Sequence, residues 1–154
     1  MIIHRSNEES GFELLEESQR VLISALTVAA IYMPEVKPCP KGKDDKPVCA
    51  GELWVNREDA MLTAEKIRLT LRMAATHGHT RLVLGALGCG AFKNPKERVA
   101  ELFKSVLLEE EFKGGRWEYV YFAVWCPPEK YPRPAGQGTS LFDIFYRILD
   151  GVVV

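Results

Sequence analysis

The sequence predicts an α/β fold with a mostly parallel or mixed central sheet and helices on both of its faces. Three observations predict it. From Val21 onward, stretches of strand and helix character alternate, joined by connections long enough for crossovers. Val21 to Ile31 is apolar at successive positions, as a strand covered on both faces must be. The run from Arg81 to Pro95 passes from an apolar strand through three glycines directly into a helix start. In open α/β sheets such a loop sits at the carboxyl end of a strand, where ligands bind.

Composition bounds the remaining classes. A chain of 154 residues, 47% hydrophobic, can bury a core and reads as a single domain over 1–154, with loops at 34–52 and 126–138. The net charge of -1 leaves no electrostatic footprint for nucleic acid. The four cysteines are irregularly spaced, unlike a secreted disulfide scaffold. No stretch has the length of a membrane span or the pattern of a leader peptide. The expectation is a soluble intracellular protein, cytoplasmic or nuclear, without membrane contact.

Met1 to His4 reads as the end of a strand, followed by a polar, acidic stretch from Arg5 to Gln19. Val21 to Ile31 is the first central strand, and Pro34 stops it. The next segment, 34–52, holds Pro34, Pro38, Pro40 and Pro47 around a Lys-Gly-Lys-Asp-Asp-Lys centre and is expected as a long exposed loop. Cys39 and Cys49 bracket it at a spacing that fits no zinc motif, so no metal is expected. Arg57 to Thr76 is the clearest helix, with Met61, Ala64, Ile67, Leu71 and Ala74 on one apolar stripe and Gly78 at its end. Leu82 to Leu84 is a buried strand.

Asn94, Pro95 and Glu97 supply N-cap, first helical position and capping-box acid for the next helix, which buries Val99, Leu102, Phe103, Val106 and Leu107. The run Glu109 to Glu111 reads as a solvated face. Gly114 and Gly115 turn the chain into an aromatic, β-branched strand from Trp117 to Trp125. After the proline-rich loop, Thr139 or Ser140 caps a last helix burying Leu141, Ile144, Phe145, Ile148 and Leu149. Gly151 ends it, and Val152 to Val154 can add a short strand.

The chemistry concentrates between Gly85 and Pro95. Gly85, Gly88 and Gly90 let the backbone approach a ligand closely, and exposed amides beside a helix N-terminus favour a phosphate or pyrophosphate. The spacing Gly-x-x-Gly-x-Gly matches neither the dinucleotide fingerprint nor a P-loop. Two readings stand side by side: an anion site, and a tight strand-to-helix turn that binds nothing. Cys89 lies between two glycines near the helix start, where a thiolate is favoured. A nucleophile needs a base and an orienting partner, and the sequence names neither. The simpler reading is that a small residue is required where the backbone wraps a ligand.

The residues Val21 to Ile31, His77 to Pro95 and Tyr119 to Val124 resemble the microbial-type poly(ADP-ribose) glycohydrolases, a branch of the macrodomain superfamily. The strongest segment is His77-Gly-His-Thr-Arg-Leu-Val-Leu-Gly-Ala-Leu-Gly-Cys-Gly-Ala-Phe-Lys-Asn-Pro95, with weaker similarity over the rest. The resemblance implies a macrodomain-like fold, N-terminally truncated relative to the family. It implies an ADP-ribose site in which Gly88 to Phe92 wrap the diphosphate, so Gly85, Ala86, Gly88, Cys89, Gly90, Ala91 and Phe92 are expected to bind ligand. Trp125 or Tyr131 is expected to stack on the base. Phe142 and Phe145 resemble aromatic positions near the family's ligand, although Ser140 and Leu141 stand where the family commonly has an Asn.

Family members carry a glycine-rich stretch and a Gln-Glu-Glu motif upstream of the matched segment. This chain begins after that point, and its catalytic residues are unknown. Asn7-Glu8-Glu9 is not accepted as the counterpart, because its flanks resemble a surface connection. The sequence reading is therefore an ADP-ribose-binding macrodomain-like protein, with weak or absent hydrolysis in this chain alone and no cofactor. Its expected partners are ADP-ribose or an ADP-ribosylated protein, and itself as a homodimer. The alternative is a non-catalytic interaction or assembly module without ligand binding.

Overall fold

The computed structural model describes residues 1–125 and 140–154, and the readings that fall on Tyr131 and on the loop 126–138 lie outside them. It is a small α/β arrangement of three helices and three two-stranded sheets among those residues. Strands β1 (Ile2–Ile3) and β2 (Val21–Leu22) pair antiparallel, as do β3 (Val36–Pro38) and β4 (Glu52–Trp54). Helix α1 (Arg57–Thr76) leads to β5 (Arg81–Leu84), then α2 (Lys96–Leu107), β6 (Tyr119–Phe122) and α3 (Leu141–Leu149). β5 and β6 pair in parallel, with Leu82 opposite Val120 and Leu84 opposite Phe122. They are the one parallel pair among the described residues, which form three separate two-stranded sheets rather than the expected mostly parallel or mixed central sheet.

The core sits where the helices meet β5 and β6. Ile67, Leu71 and Ala74 of α1, Val99, Phe103 and Val106 of α2, and Ile144 and Phe145 of α3 belong to one buried cluster, in which α2 lies against both of the other helices. Phe103 meets Phe122 edge-on at 5.0 Å, and Phe145 tilts against Phe122 at 5.8 Å, fixing α2 and α3 on one face of the strand pair. Phe112, fully buried, stacks on Trp117 at 6.4 Å. The stripe expected on α1 holds from Ala64 to Ala74, but Met61 is 58% exposed and Thr63 takes the buried place. Thr63 satisfies its hydroxyl on the Asp59 carbonyl at 2.8 Å, which lets a polar side chain sit inside.

Helix ends follow local chemistry. Asn56 caps α1 by accepting from the Glu58 amide, and His77 closes it with Gly78 at φ +74. Ser140 and Asp143 form a capping box at α3. The acidic run after α2 does more than face solvent. Glu109 takes Arg68 in a two-pronged ion pair, and Glu111 takes Arg72, tying α1 to the end of α2.

Three expectations need correction. Val21 to Ile31 is not a central strand: only Val21–Leu22 is extended and paired, and its partner is β1. An apolar run holds a β conformation only while a neighbour accepts its backbone hydrogen bonds; Ile23 still exchanges them with Met1, and residues 24–31 have no ladder partner among the described residues. Segment 34–52 is no plain loop, since β3 and β4 form its stem and Cys39 and Cys49 are joined as a disulfide with Cα atoms 5.7 Å apart. Val152 to Val154 form no strand; Val154 packs partly against the core and Val153 is exposed.

Candidate functional site: the glycine loop and its clasp

The loop between β5 and α2 is two consecutive turns. The Cys89 amide donates to the Ala86 carbonyl at 3.1 Å, and the Lys93 amide to the Gly90 carbonyl at 3.1 Å. The Asn94 amide then closes the loop onto the Gly88 carbonyl at 3.0 Å. Lys93 takes φ +52, a left-handed conformation that a lysine adopts only when its surroundings hold it there. The amides of Gly90, Ala91 and Phe92 donate to no acceptor among the described residues, and all three residues are exposed. They lie one turn before the N-terminus of α2, where partial positive charge accumulates.

The glycines play different parts. Gly88 is required by the fold. Its φ is +70, and a Cβ there would stand 2.7 Å from the Cβ of Ala30 and overlap the side-chain amide of Asn94. At Gly85 and Gly90 the backbone is not left-handed, and a Cβ would enter open space. Among the described residues, nothing demands glycine at those two positions.

Asn94 does not cap the helix as the sequence suggested. The cap is Pro95, which has no side-chain acceptor, and Asn94 is buried beneath the loop. Its side-chain nitrogen donates to Ile31 at 2.8 Å, Gly88 at 3.3 Å and Phe92 at 3.4 Å, all backbone carbonyls. The Met33 amide adds a bond to the Phe92 carbonyl at 3.0 Å, and the Tyr32 and Phe92 rings meet edge-on at 5.2 Å. Residues 31–33 are thus clasped to the glycine loop, and sequence reading had missed them. A signal was present in the buried-type position of a polar Asn between a glycine loop and a proline.

Cys89 is buried and its thiol is pushed up to about 12, chiefly by burial. Lys96 opposes this and Glu97 reinforces it, so charges on the first turn of α2 are felt in the loop. A buried thiol this reluctant to ionise is a poor nucleophile at neutral pH, which counts against the cysteine-enzyme reading.

Gly85, Ala86, Gly88, Cys89, Gly90, Ala91 and Phe92 all belong to this one loop, while Trp125 lies on a different segment, after β6. Trp125 is 73% exposed, three residues beyond β6, at the same carboxyl end of the parallel pair as the loop. Phe142 stacks on Tyr146 at 5.8 Å and Phe145 is core, so Phe145 is unavailable to a ligand. Glu8 and Glu9 are exposed in a surface turn. No group of three His, Cys, Asp or Glu gathers among the described residues, and the sulfurs of Cys39 and Cys49 are bonded to each other. Glu111 and Glu118 are both held below the ordinary carboxylate value, by hydrogen bonds from Arg72 and Arg81 respectively. A general acid needs the opposite shift.

No model of a protein family matches the chain, and no curated protein matches it. Among solved structures, it resembles bacterial poly(ADP-ribose) glycohydrolases over part of its length. The Deinococcus radiodurans enzyme in complex with ADP-ribose is 36% identical, with 60% of this chain and 33% of that one covered at a TM-score of 0.48. The Thermomonospora curvata enzyme is 26% identical, with 73% and 45% covered at a TM-score of 0.48. A second Deinococcus radiodurans structure with ADP-ribose is 27% identical, with 74% and 51% covered at 0.49. The chain therefore spans about a third of the length of the first of these relatives.

Proposed function

We propose that this chain binds ADP-ribose, free or attached to protein, through its diphosphate, and hydrolyses ADP-ribose linkages weakly or not at all. The observation that carries the reading is the contrast among the glycines. Gly88 answers to packing, whereas a Cβ at Gly85 or Gly90 would meet no described atom within 4 Å, and Gly90 begins a run of three amides without partners among the described residues. Glycines that the fold does not need are explained by a ligand approaching the backbone, and bare amides beside a helix N-terminus select an anion. The resemblance of His77 to Pro95 to the glycohydrolase loop makes that anion a pyrophosphate. Weak hydrolysis follows from chemistry: glycosidic cleavage through an oxocarbenium-like state needs a carboxyl group held ready as an acid, and none is identified at this loop.

Calorimetric titration with ADP-ribose, ADP and AMP tests the reading. Saturable binding of both diphosphates, with ADP close to ADP-ribose and AMP weaker, is expected. Multiple turnovers on poly(ADP-ribose) by this chain alone would overturn the second half of the proposal.

A second reading, an interaction module, is favoured by the outer face of β5 and β6. Val83 is 74% exposed and faces Tyr121, itself 60% exposed, on parallel strands of a kind normally covered on both sides. Self-association is the expected form of that module, since a second copy would cover this apolar face. A light-scattering mass that stays monomeric at every concentration contradicts it.

A further inference from the structure

We propose that the Cys39–Cys49 disulfide is a redox latch on the glycine loop: its reduction releases the platform that seats the first turn of α2. The disulfide closes the neck of the β3–β4 hairpin, where the Cys39 amide also donates to the Gly51 carbonyl at 3.1 Å. The two residues after Cys49 are that platform. Glu97 of α2 lies against Gly51 so closely that a Cβ at Gly51 would stand 2.9 Å from one carboxylate oxygen and overlap the rest. The next residue, Arg98, donates to the Ala50 carbonyl at 3.5 Å while holding Glu101 at 2.7 Å. Two consecutive side chains of the first turn of α2 therefore rest on two consecutive residues fixed by the disulfide.

The coupling runs on into the loop. Pro95 and Asn94 directly precede that turn, the Val99 amide bonds the Pro95 carbonyl at 3.0 Å, and Asn94 holds Gly88, Phe92 and Ile31 together. Lys96 and Glu97 already act electrostatically on Cys89 inside the loop. The consequence for ligand affinity rests on the reading of this loop as a diphosphate site, but the structural coupling does not.

The chemistry is an ordinary thiol–disulfide exchange with a dithiol. Cys39 is buried and Cys49 half-buried, so the reductant's thiolate attacks the Cys49 sulfur. The S–S bond breaks, and Cys39 leaves as a thiolate that takes up a proton. The second thiol of the reductant then displaces Cys49 and becomes a disulfide itself, so two electrons pass to the protein sulfurs.

The test compares the oxidised chain, the chain reduced with dithiothreitol, and Cys39→Ser/Cys49→Ser, all with Cys126→Ser to prevent reshuffling. Amide hydrogen exchange and ADP titration are read on each. Exchange at Asn94 and Val99 is expected to quicken at least tenfold on reduction, with the Asp150 amide of the α3 terminus unchanged and ADP binding weakened at least threefold. The double serine variant should match the reduced chain and ignore dithiothreitol. Quickening confined to Lys41–Val48, or spread equally to Asp150, overturns the latch. Absence of ADP binding in every state, with Asn94 and Val99 still responding, overturns the site reading and leaves the latch standing.

Discussion

The side-chain amide of Asn94 fills the space beside Gly88 that the Cβ of any other residue would need. That contact decides the shape of the loop, because the same nitrogen holds the carbonyls of Ile31, Gly88 and Phe92. Gly88 and Asn94 are a fitted pair, and the segment 31–33 is held to the loop through them.

Replacing Asn94 by Ala removes the donor from three carbonyls beneath a buried surface. We expect a loss of about 1–3 kcal/mol in chemical denaturation, the usual cost of stranding buried polar groups. The same variant should expose the Tyr32–Phe92 contact to faster solvent quenching of Tyr32, since that ring packing depends on the clasp.

Gly88→Ala and Gly90→Ala separate fold from ligand. Gly88→Ala meets a left-handed backbone and two close neighbours, and should cost about 2 kcal/mol or more. Gly90→Ala enters open space and should shift stability by less than about 0.5 kcal/mol, as surface changes do. Its effect should appear in diphosphate binding, weakened at least tenfold, because the added methyl stands among the free amides. Equal stability losses in the two variants would contradict this division.

Cys89 should resist alkylation. With its pKa at about 12, only about one thiol in ten thousand is ionised at pH 8, and burial hinders the reagent further. In a Cys126→Ser background, iodoacetamide should label the native chain far more slowly than the urea-unfolded chain, and Cys89→Ala should bind ADP-ribose unchanged. Rapid native labelling contradicts the buried placement.

How much of this was legible in the sequence differs by element. The bounds of α1 were readable, because apolar residues at helical spacing followed by Gly78 are local information. So were the Ser140 cap and the strand at Leu82–Leu84, although the strand is not buried throughout as expected: Leu82 is inside and Val83 is 74% exposed. Val21 to Ile31 misled because hydrophobicity says that a strand could be covered, not that partners stand beside it. The disulfide was invisible because ten residues of separation say nothing about how β3 and β4 bring two Cα atoms together. Asn94 was read as a cap from its neighbours in the chain, and its role lies with Ile31, 63 residues away. From the sequence Glu109 and Glu111 read as a solvated run for the same reason: the arginines they hold lie on another helix.

Acid should loosen the α1–α2 junction. Glu111 is lowered below its ordinary value of 4.5 by its bond to Arg72, so the unfolded chain takes up protons there before the folded one does. The stabilisation is complete above pH 4.5 and disappears as the pH falls through the folded-state value. Glu118, lowered by Arg81, acts in the same direction. Both pairs are exposed, so the slope should be shallow and flattened by salt. Glu111→Gln should reduce the slope below pH 4.5 in urea titrations, and an unaltered slope would remove the pair from the account.

The most direct measurement is calorimetric titration of the oxidised chain with ADP-ribose, repeated with Gly90→Ala. Saturable, one-to-one binding that ADP reproduces and Gly90→Ala weakens at least tenfold, at unchanged stability, is the predicted result. Absence of heat with ADP-ribose and ADP alike, from a chain whose denaturation shows it folded, would contradict a diphosphate site in the glycine loop.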